Sequence, residues 1–389
     1  MTTVNPIRQR TTRVHPGLKF YFDYWLLLAV AGLVIVGLLT VYSTTFDLGT
    51  LAKDDATFYI KRQLWALVLG IGAVIILMQF DYHVLRRFSV PMLFITLFAL
   101  LAILFFSEAI FGAQRGVFEG SYQPSEVAKL VTILYIAHWL SSKGDRIKLI
   151  TYGLFPFSVI VGVVCALIVR QPDLSTAGLI ALVSFTLFFV AGADWRQFAV
   201  AAGLGGAVFL TLILTLPHAA ARVEIFTIGL RDPAQAGWHV RQTLIALGRG
   251  GWTGVGLGES IQKFGALPAA HTDGAFAILA EETGLLGGLI VIGLFLMIVW
   301  RGIRTAMQAR DSYGFLLALG ITCWLSYQAL MNIAVITAVI PFTGIPLPFI
   351  SYGGSSLAIS LVGAGILLNI SRDAALSKRM QPRRRESNQ

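Results

Sequence analysis

Charge is the first thing this sequence has little of. Only 13% of its 389 residues are Asp, Glu, Lys or Arg, while 56% are hydrophobic; soluble globular chains are about 25% charged. With a mean hydropathy of +0.75, that scarcity excludes a soluble domain of ordinary composition. Cysteine is nearly absent too. Cys165 and Cys323 are the only two, both inside apolar runs, so neither a disulfide framework nor a thiolate metal site is indicated, and packing is their expected role. Sustained apolar and polar alternation is missing, which removes an outer-membrane barrel. No linker, low-complexity block or repeat divides the chain. The histidines do not fall at ligand spacing, so no zinc site is expected.

Long apolar runs are what the sequence does have. They fall at roughly 24–43, 64–80, 89–107, 124–140, 151–169, 174–191, 197–216, 276–300, 313–333 and 353–370, near the ~20 residues that cross a bilayer as helix. Because backbone groups in lipid must be satisfied internally, the runs predict an all-α polytopic membrane protein of about ten transmembrane helices. The first run has no small-residue cleavage pattern after it and reads as a retained span. One membrane domain, 23–372, is expected between an N-terminal arm, 1–22, and a disordered basic tail, 373–389.

Ten spans put both termini on one side, and the face that carries them holds 19 of the 30 Lys and Arg. Both ends are therefore expected in the cytoplasm. The net charge of +10 then reflects topology and anionic lipid headgroups, not nucleic acid.

A polar island from Pro217 to Ala275 becomes a long extracytoplasmic segment between the seventh and eighth spans. Its residues 231–247 read as an amphipathic helix along the interface. Six glycines follow between 248 and 258, either as flexible turns or as backbone able to approach a phosphate; no strand precedes them, so a nucleotide fold is not indicated. The island ends in Leu-Pro-Ala-Ala-His-Thr-Asp-Gly. Asp273 stands where the eighth span begins, either as a helix cap or as a working carboxylate. Glu281 and Glu282 lie further toward lipid, where they need basic or hydrogen-bonding partners in a polar cavity.

Three other external segments carry polar residues. In the first, Pro124 and Glu126 suit a helix start, and Lys129 sits three residues on, inside the apolar run, where a lysine usually faces a polar cavity with a partner. Arg170 and Asp173 flank a proline after the fifth span, as a loop salt bridge or as a guanidinium for a pyrophosphate. The last, Met331 to Ser356, has three prolines and a Gly-Gly pair in apolar sequence. Broken backbone at membrane depth must be buried or line a cavity, so a re-entrant wall is expected.

Gln123-Pro-Ser-Glu126, Gln171-Pro-Asp-Leu174, Gln262-Lys263 followed by Leu267-Pro268, His271-Thr-Asp273, Glu281-Glu282 and the run from Thr343 to Ser356 together resemble the signatures of the SEDS family, the FtsW/RodA/SpoVE proteins. The resemblance covers about 22–372. The run ending at Lys263 and the run ending at Arg372 are more similar to the FtsW/SpoVE branch than to RodA. The family's usual Leu-Pro-Glu is Leu-Pro-Ala269 here, its aromatic after the aspartate is Gly274, and its Trp after Gln-Arg is Gly116.

The resemblance implies a ten-helix peptidoglycan glycosyltransferase of the bacterial cytoplasmic membrane that polymerises lipid II in division or elongation. It implies a class B penicillin-binding protein as partner, with other divisome or elongasome proteins, lipid II or undecaprenyl pyrophosphate and membrane lipids. It also implies Asp273 as the catalytic acidic residue. Substrate- and pyrophosphate-binding candidates are Glu126, Lys129, Arg170, Asp173, Arg222, Gln262, Lys263, His271, Glu281, Glu282, Ser351 and Ser355. No cofactor or metal ligand set is assigned, although a divalent cation (Mg or Mn) is compatible with a pyrophosphate leaving group. A lipid II flippase and a non-catalytic scaffold for a penicillin-binding protein are the alternatives.

Overall fold

A computed structural model describes residues 22–106, 123–232 and 235–380. The expectations for the N-terminal arm through residue 21, for Gly116 and for the tail beyond 380 lie outside them. Helices occupy all ten apolar runs: α1 (Tyr24–Lys53), α2 (Phe58–Leu77), α3 (His83–Phe106), α4 (Pro124–Lys143), α5 (Leu154–Val169), α6 (Leu174–Val190), α7 (Trp195–Thr215), α10 (Ala275–Gln308), α11 (Ser312–Ile336) and α12 (Gly354–Met380). Two more, α8 (Pro217–Arg231) and α9 (Trp238–Gly250), lie between α7 and α10. Among the described residues there is no strand.

Local chemistry sets the helix starts. Asp23, Asp173, Asp194 and Asp311 each cap a helix by accepting from a backbone N–H two or three residues on, satisfying donors that have no intrahelical partner. Pro124 and Pro217 open α4 and α8 where a missing N–H costs nothing.

Among the described residues seven helices, α1, α2, α3, α7, α10, α11 and α12, are long and apolar enough to cross a membrane. The helices α5 and α6 have 16 and 17 residues, roughly 25 Å each at 1.5 Å per residue, and α4 carries Glu126, Lys129 and Lys143. Burial varies independently of length. Most of α4 and α11 is enclosed by other helices, whereas α7 buries only Gln197 and Ala201 and turns Trp195, Leu204 and Leu214 outward, as a lipid-facing helix would.

The polar island is more structured than a loop. The interfacial helix expected over 231–247 begins at Trp238. Ahead of it α8 is a helix the sequence reading missed, because its apolar and polar residues do not segregate to one face. The helix α12 also continues to Met380, so the first eight residues of the expected disordered tail are helical. Good helix formers and basic residues near a C-terminus favour that, and Arg310 Nη1 holds Asp373 Oδ1 at 3.0 Å.

The glycine run has a packing role. Gly284 breaks α10 (φ 68°, ψ −168°), and the turn after α9 enters the break: Val255 N and Gly256 N donate to the Glu281 and Glu282 carbonyls at 3.0 and 3.1 Å, and Leu285 N donates to Gly251 O at 2.9 Å. Gly254 has φ +83°, and a Cβ there would overlap the Glu282 carbonyl oxygen. Gly254→Ala is therefore expected to lower the unfolding midpoint by several degrees, through left-handed strain of about 1 kcal/mol or more plus the clash. Gly248→Ala, where a Cβ meets nothing within 4 Å, is expected to be neutral or stabilising. Thermal unfolding of the two purified variants checks both.

Candidate active site around Asp273

Between α11 and α12 the chain runs without helix from about 337 to 353, and prolines 341, 346 and 348 withhold N–H donors. Its carbonyls are met by side chains from surrounding helices. Arg222 Nη1 of α8 reaches Phe342 O and Thr343 O at 3.5 and 3.4 Å. Ser175 Oγ of α6 donates to Thr343 O at 2.8 Å. From α11, Asn332 Nδ2 donates to Ile345 O at 2.8 Å and Gln328 Nε2 to Pro346 O at 2.9 Å. Gln63 of α2 donates to Ser351 O and accepts from Gly353 N. The segment is a non-helical wall, as the prolines and glycines lead one to expect, and side chains satisfy its carbonyls, as buried broken backbone requires.

Asp273 stands against that wall. It sits in a turn organised on the Ala269 carbonyl, which accepts from Thr272 N and Gly274 N at 3.0 and 3.1 Å, with Ala269 itself at φ +52°. The turn is pinned once to the wall, where Tyr352 N donates to His271 O at 2.8 Å, and once to α11, where Asn332 Nδ2 donates to Asp273 O at 3.0 Å. Asp273 is half-buried, and its Oδ2 lies 3.3 Å from where a Cβ on Gly344 (φ +72°) would be. The carboxylate therefore adjoins the wall at Gly344, where a side chain would be strained by the positive φ and would crowd Oδ2. Tyr59, His271 and Tyr352 form an aromatic cluster beside it, with centroids 5.4 to 6.0 Å apart.

The other candidates divide into three groups. Lys129, 2% exposed, gives Nζ to Glu126 Oε1 at 2.7 Å and to Gln328 Oε1 at 2.8 Å, and Trp324 Nε1 also donates to Gln328 Oε1. The expected partner and buried setting are present, and Gln328 links the ion pair to the wall. Glu281 accepts from Arg249 Nη1 at 2.9 Å and Ser260 Oγ at 2.5 Å. Glu282 accepts from Ser43 Oγ at 2.5 Å and faces Lys263 Nζ at 3.6 Å. These carboxylates tie α1 and the loop after α9 to α10. Ser351 Oγ accepts from Leu347 N, Gln262 is buried, Ser355 is half-buried, and Arg170 is exposed at the end of α5. Asp173 serves as the α6 cap.

Asn332, Gln328, Gln63, Tyr59 and Ser175 were not singled out by the sequence. Each is one polar residue in a helix, and nothing in one dimension marks which polar residue faces the broken segment. Among the described residues no three His, Cys, Asp or Glu side chains cluster as a metal cage requires; a hard cation here would rely on substrate phosphates with one or two carboxylates.

Beside the wall, α8 and α9 enclose a cavity of about 180 Å³ lined by Arg222, Ile225, Phe226, Trp238, His239 and Phe342. Both ring nitrogens of His239 are buried without a hydrogen-bond partner, and burial pulls its pKa down to about 4. Burial lowers His271 as well. The unfolded chain protonates His239 near 6.5 while the folded chain resists until about 4, so this contribution is intact above about pH 6.5 and is lost as pH falls toward 4. His239→Phe is expected to flatten that dependence, read as the difference in unfolding midpoint between neutral and acidic buffers.

Residues 24–376 match the FtsW/RodA/SpoVE family model, described as cell cycle protein. A probable peptidoglycan glycosyltransferase FtsW of Trichlorobacter lovleyi is 37% identical over 361 residues, 92% of this chain and 94% of that protein. Stage V sporulation protein E of Bacillus subtilis is 38% identical over 354 residues, 90% of this chain and 97% of that protein. A solved chain from a study of structural coordination of polymerization and crosslinking by a peptidoglycan synthase complex superposes with TM-score 0.72 at 28% identity, over 91% of this chain and 98% of its own.

Proposed function

The chain belongs to the FtsW/RodA/SpoVE family, and from that premise we propose that it is a peptidoglycan glycosyltransferase that polymerises lipid II, with Asp273 as general base. As a family member with seven long apolar helices it is a multi-pass protein of the bacterial inner membrane. The observation that carries the catalytic reading is the half-buried Asp273 carboxylate, held by one main-chain link to the broken segment and one side-chain link to Asn332 of α11 and lying against Gly344.

The chemistry asks for such a group. Forming a β-1,4 bond requires the acceptor's 4-hydroxyl to attack the donor's anomeric carbon while the lipid pyrophosphate leaves from the opposite face. Asp273 takes the hydroxyl proton as the C–O bond forms, a contribution of about 10²–10⁴-fold. The anomeric C–O bond to pyrophosphate breaks, and the single displacement inverts configuration. Positive charge is needed where the leaving group departs. Arg222 Nη1 lies 3.5 and 3.4 Å from the carbonyls of Phe342 and Thr343, the residues just before Gly344, which the Asp273 carboxylate adjoins; we assign it the pyrophosphate.

The turn carrying Asp273 meets the segment between α11 and α12, and this reading, with both termini cytoplasmic by the Lys and Arg distribution, assigns that segment to the outer face. A peptidoglycan-crosslinking enzyme, a class B penicillin-binding protein, is the partner this reading assigns. Polymer formation from lipid II by the purified protein, alone and with that partner, is the test. Headgroup translocation in vesicles without polymer would support the flippase reading instead.

A further inference from the structure

We propose that Asn332 is the positioning residue that fixes where the Asp273 carboxylate stands, an inference that rests on Asp273 being the base. Asn332 projects from the last turns of α11 and is 2% exposed. Its Nδ2 has two hydrogens, and both are committed: one to the Asp273 carbonyl at 3.0 Å, the other to the Ile345 carbonyl at 2.8 Å. Those carbonyls belong to the two stretches of main chain between which the carboxylate sits, because Gly344, which Oδ2 adjoins, immediately precedes Ile345. One planar amide therefore sets the spacing of both walls of the catalytic position. A displacement at the Asp273 carbonyl passes to the carboxylate through only Cα and Cβ.

The orientation of this amide follows from its neighbours. Both are carbonyl oxygens, so only the nitrogen end can face them. Its Oδ1 is left buried without a hydrogen-bond partner. Packing alone would favour leucine at such a place, since a buried acceptor without a donor opposes folding. What accounts for asparagine is the work of its nitrogen. Gln328, one turn away, donates to Pro346 O, but its oxygen is held by Lys129 and Trp324, and it belongs to the ion-pair network. Asn332 differs in that both of its donor bonds end on the backbone flanking Asp273.

The test is steady-state lipid II polymerisation by purified Asn332→Leu and Asn332→Ser, alone and with the transpeptidase partner, with lipid II binding and thermal unfolding measured on the same preparations. Leucine has similar volume and no donor. Since a 1 Å misplacement of a catalytic group costs about 10²-fold, kcat is expected to fall about 10²-fold while KM and binding stay close to wild type. Loss confined to kcat marks an interaction that matters in the transition state. Serine, shorter and able to donate once, is expected to fall between, and it decides the matter if the leucine variant does not fold. Wild-type kcat in either variant overturns the proposal. So does a loss of kcat matched by equal loss of binding and of folded protein. Asp273→Asn, run in parallel, separates the two readings: if it polymerises normally the general-base assignment fails on its own, and if it is inactive while Asn332→Leu is normal, only the positioning role fails.

Discussion

Asp273→Asn is expected to lower lipid II polymerisation by at least the 10²–10⁴-fold that a positioned base contributes, while the protein purifies and unfolds as wild type does. The substitution is nearly isosteric and exchanges one carboxylate oxygen for a nitrogen that cannot accept the hydroxyl proton. The contacts that hold the turn are made by main-chain atoms, the Asp273 carbonyl to Asn332 and the His271 carbonyl to Tyr352, and asparagine leaves them in place. Binding of lipid II and of the partner should therefore persist. A polymerisation assay with labelled lipid II, read beside an unfolding curve, checks both halves. Glycan synthesis at the wild-type rate by the asparagine variant would remove Asp273 from the reaction.

The second large effect concerns stability. Lys129→Met is expected to destabilise the fold by about 3–5 kcal/mol, the usual consequence of leaving one charge of a buried pair without its partner. Glu126 is 3% exposed, its Oε2 already lacks a partner, and its Oε1 depends on Lys129 Nζ at 2.7 Å. The Gln328 oxygen would also lose its lysine donor, loosening the group that holds the Pro346 carbonyl. Adding Glu126→Gln to Lys129→Met is expected to recover most of the loss, since a neutral pair needs no counter-charge. Unfolding midpoints of the two single variants and the double variant measure this coupling directly; additive losses would show that the pair is not a unit.

Much of the architecture was legible in one dimension, for reasons particular to lipid. The ten apolar runs all became helices, because a bilayer leaves a spanning chain few ways to satisfy its backbone. The need of Lys129, Glu281 and Glu282 for partners was legible too, since a charge at depth is costly alone. Their partners were not. Ser43 lies 239 positions from Glu282, and Gln328 lies 199 positions from Lys129; no local pattern joins them. The glycines from 248 to 258 show the same limit. Glycine permits both open turns and close backbone approach, and the break of α10 at Gly284 decided for close approach. The helix α8 was missed because it lacks one apolar face.

The sequence alone determined the class of molecule, the helical runs and the presence of a broken segment before Ser356, and it is what proposes Asp273, since each follows from composition, from proline and glycine, or from short motifs whose residues are neighbours in the chain. Tertiary structure alone decided which surfaces meet: that Asn332 and Gln328 hold carbonyls of that segment, that Gly344 adjoins the carboxylate, and that Arg222 of α8 reaches the same backbone. A side-chain hydrogen bond extends only about 3 Å, and which groups come that close depends on how the helices pack.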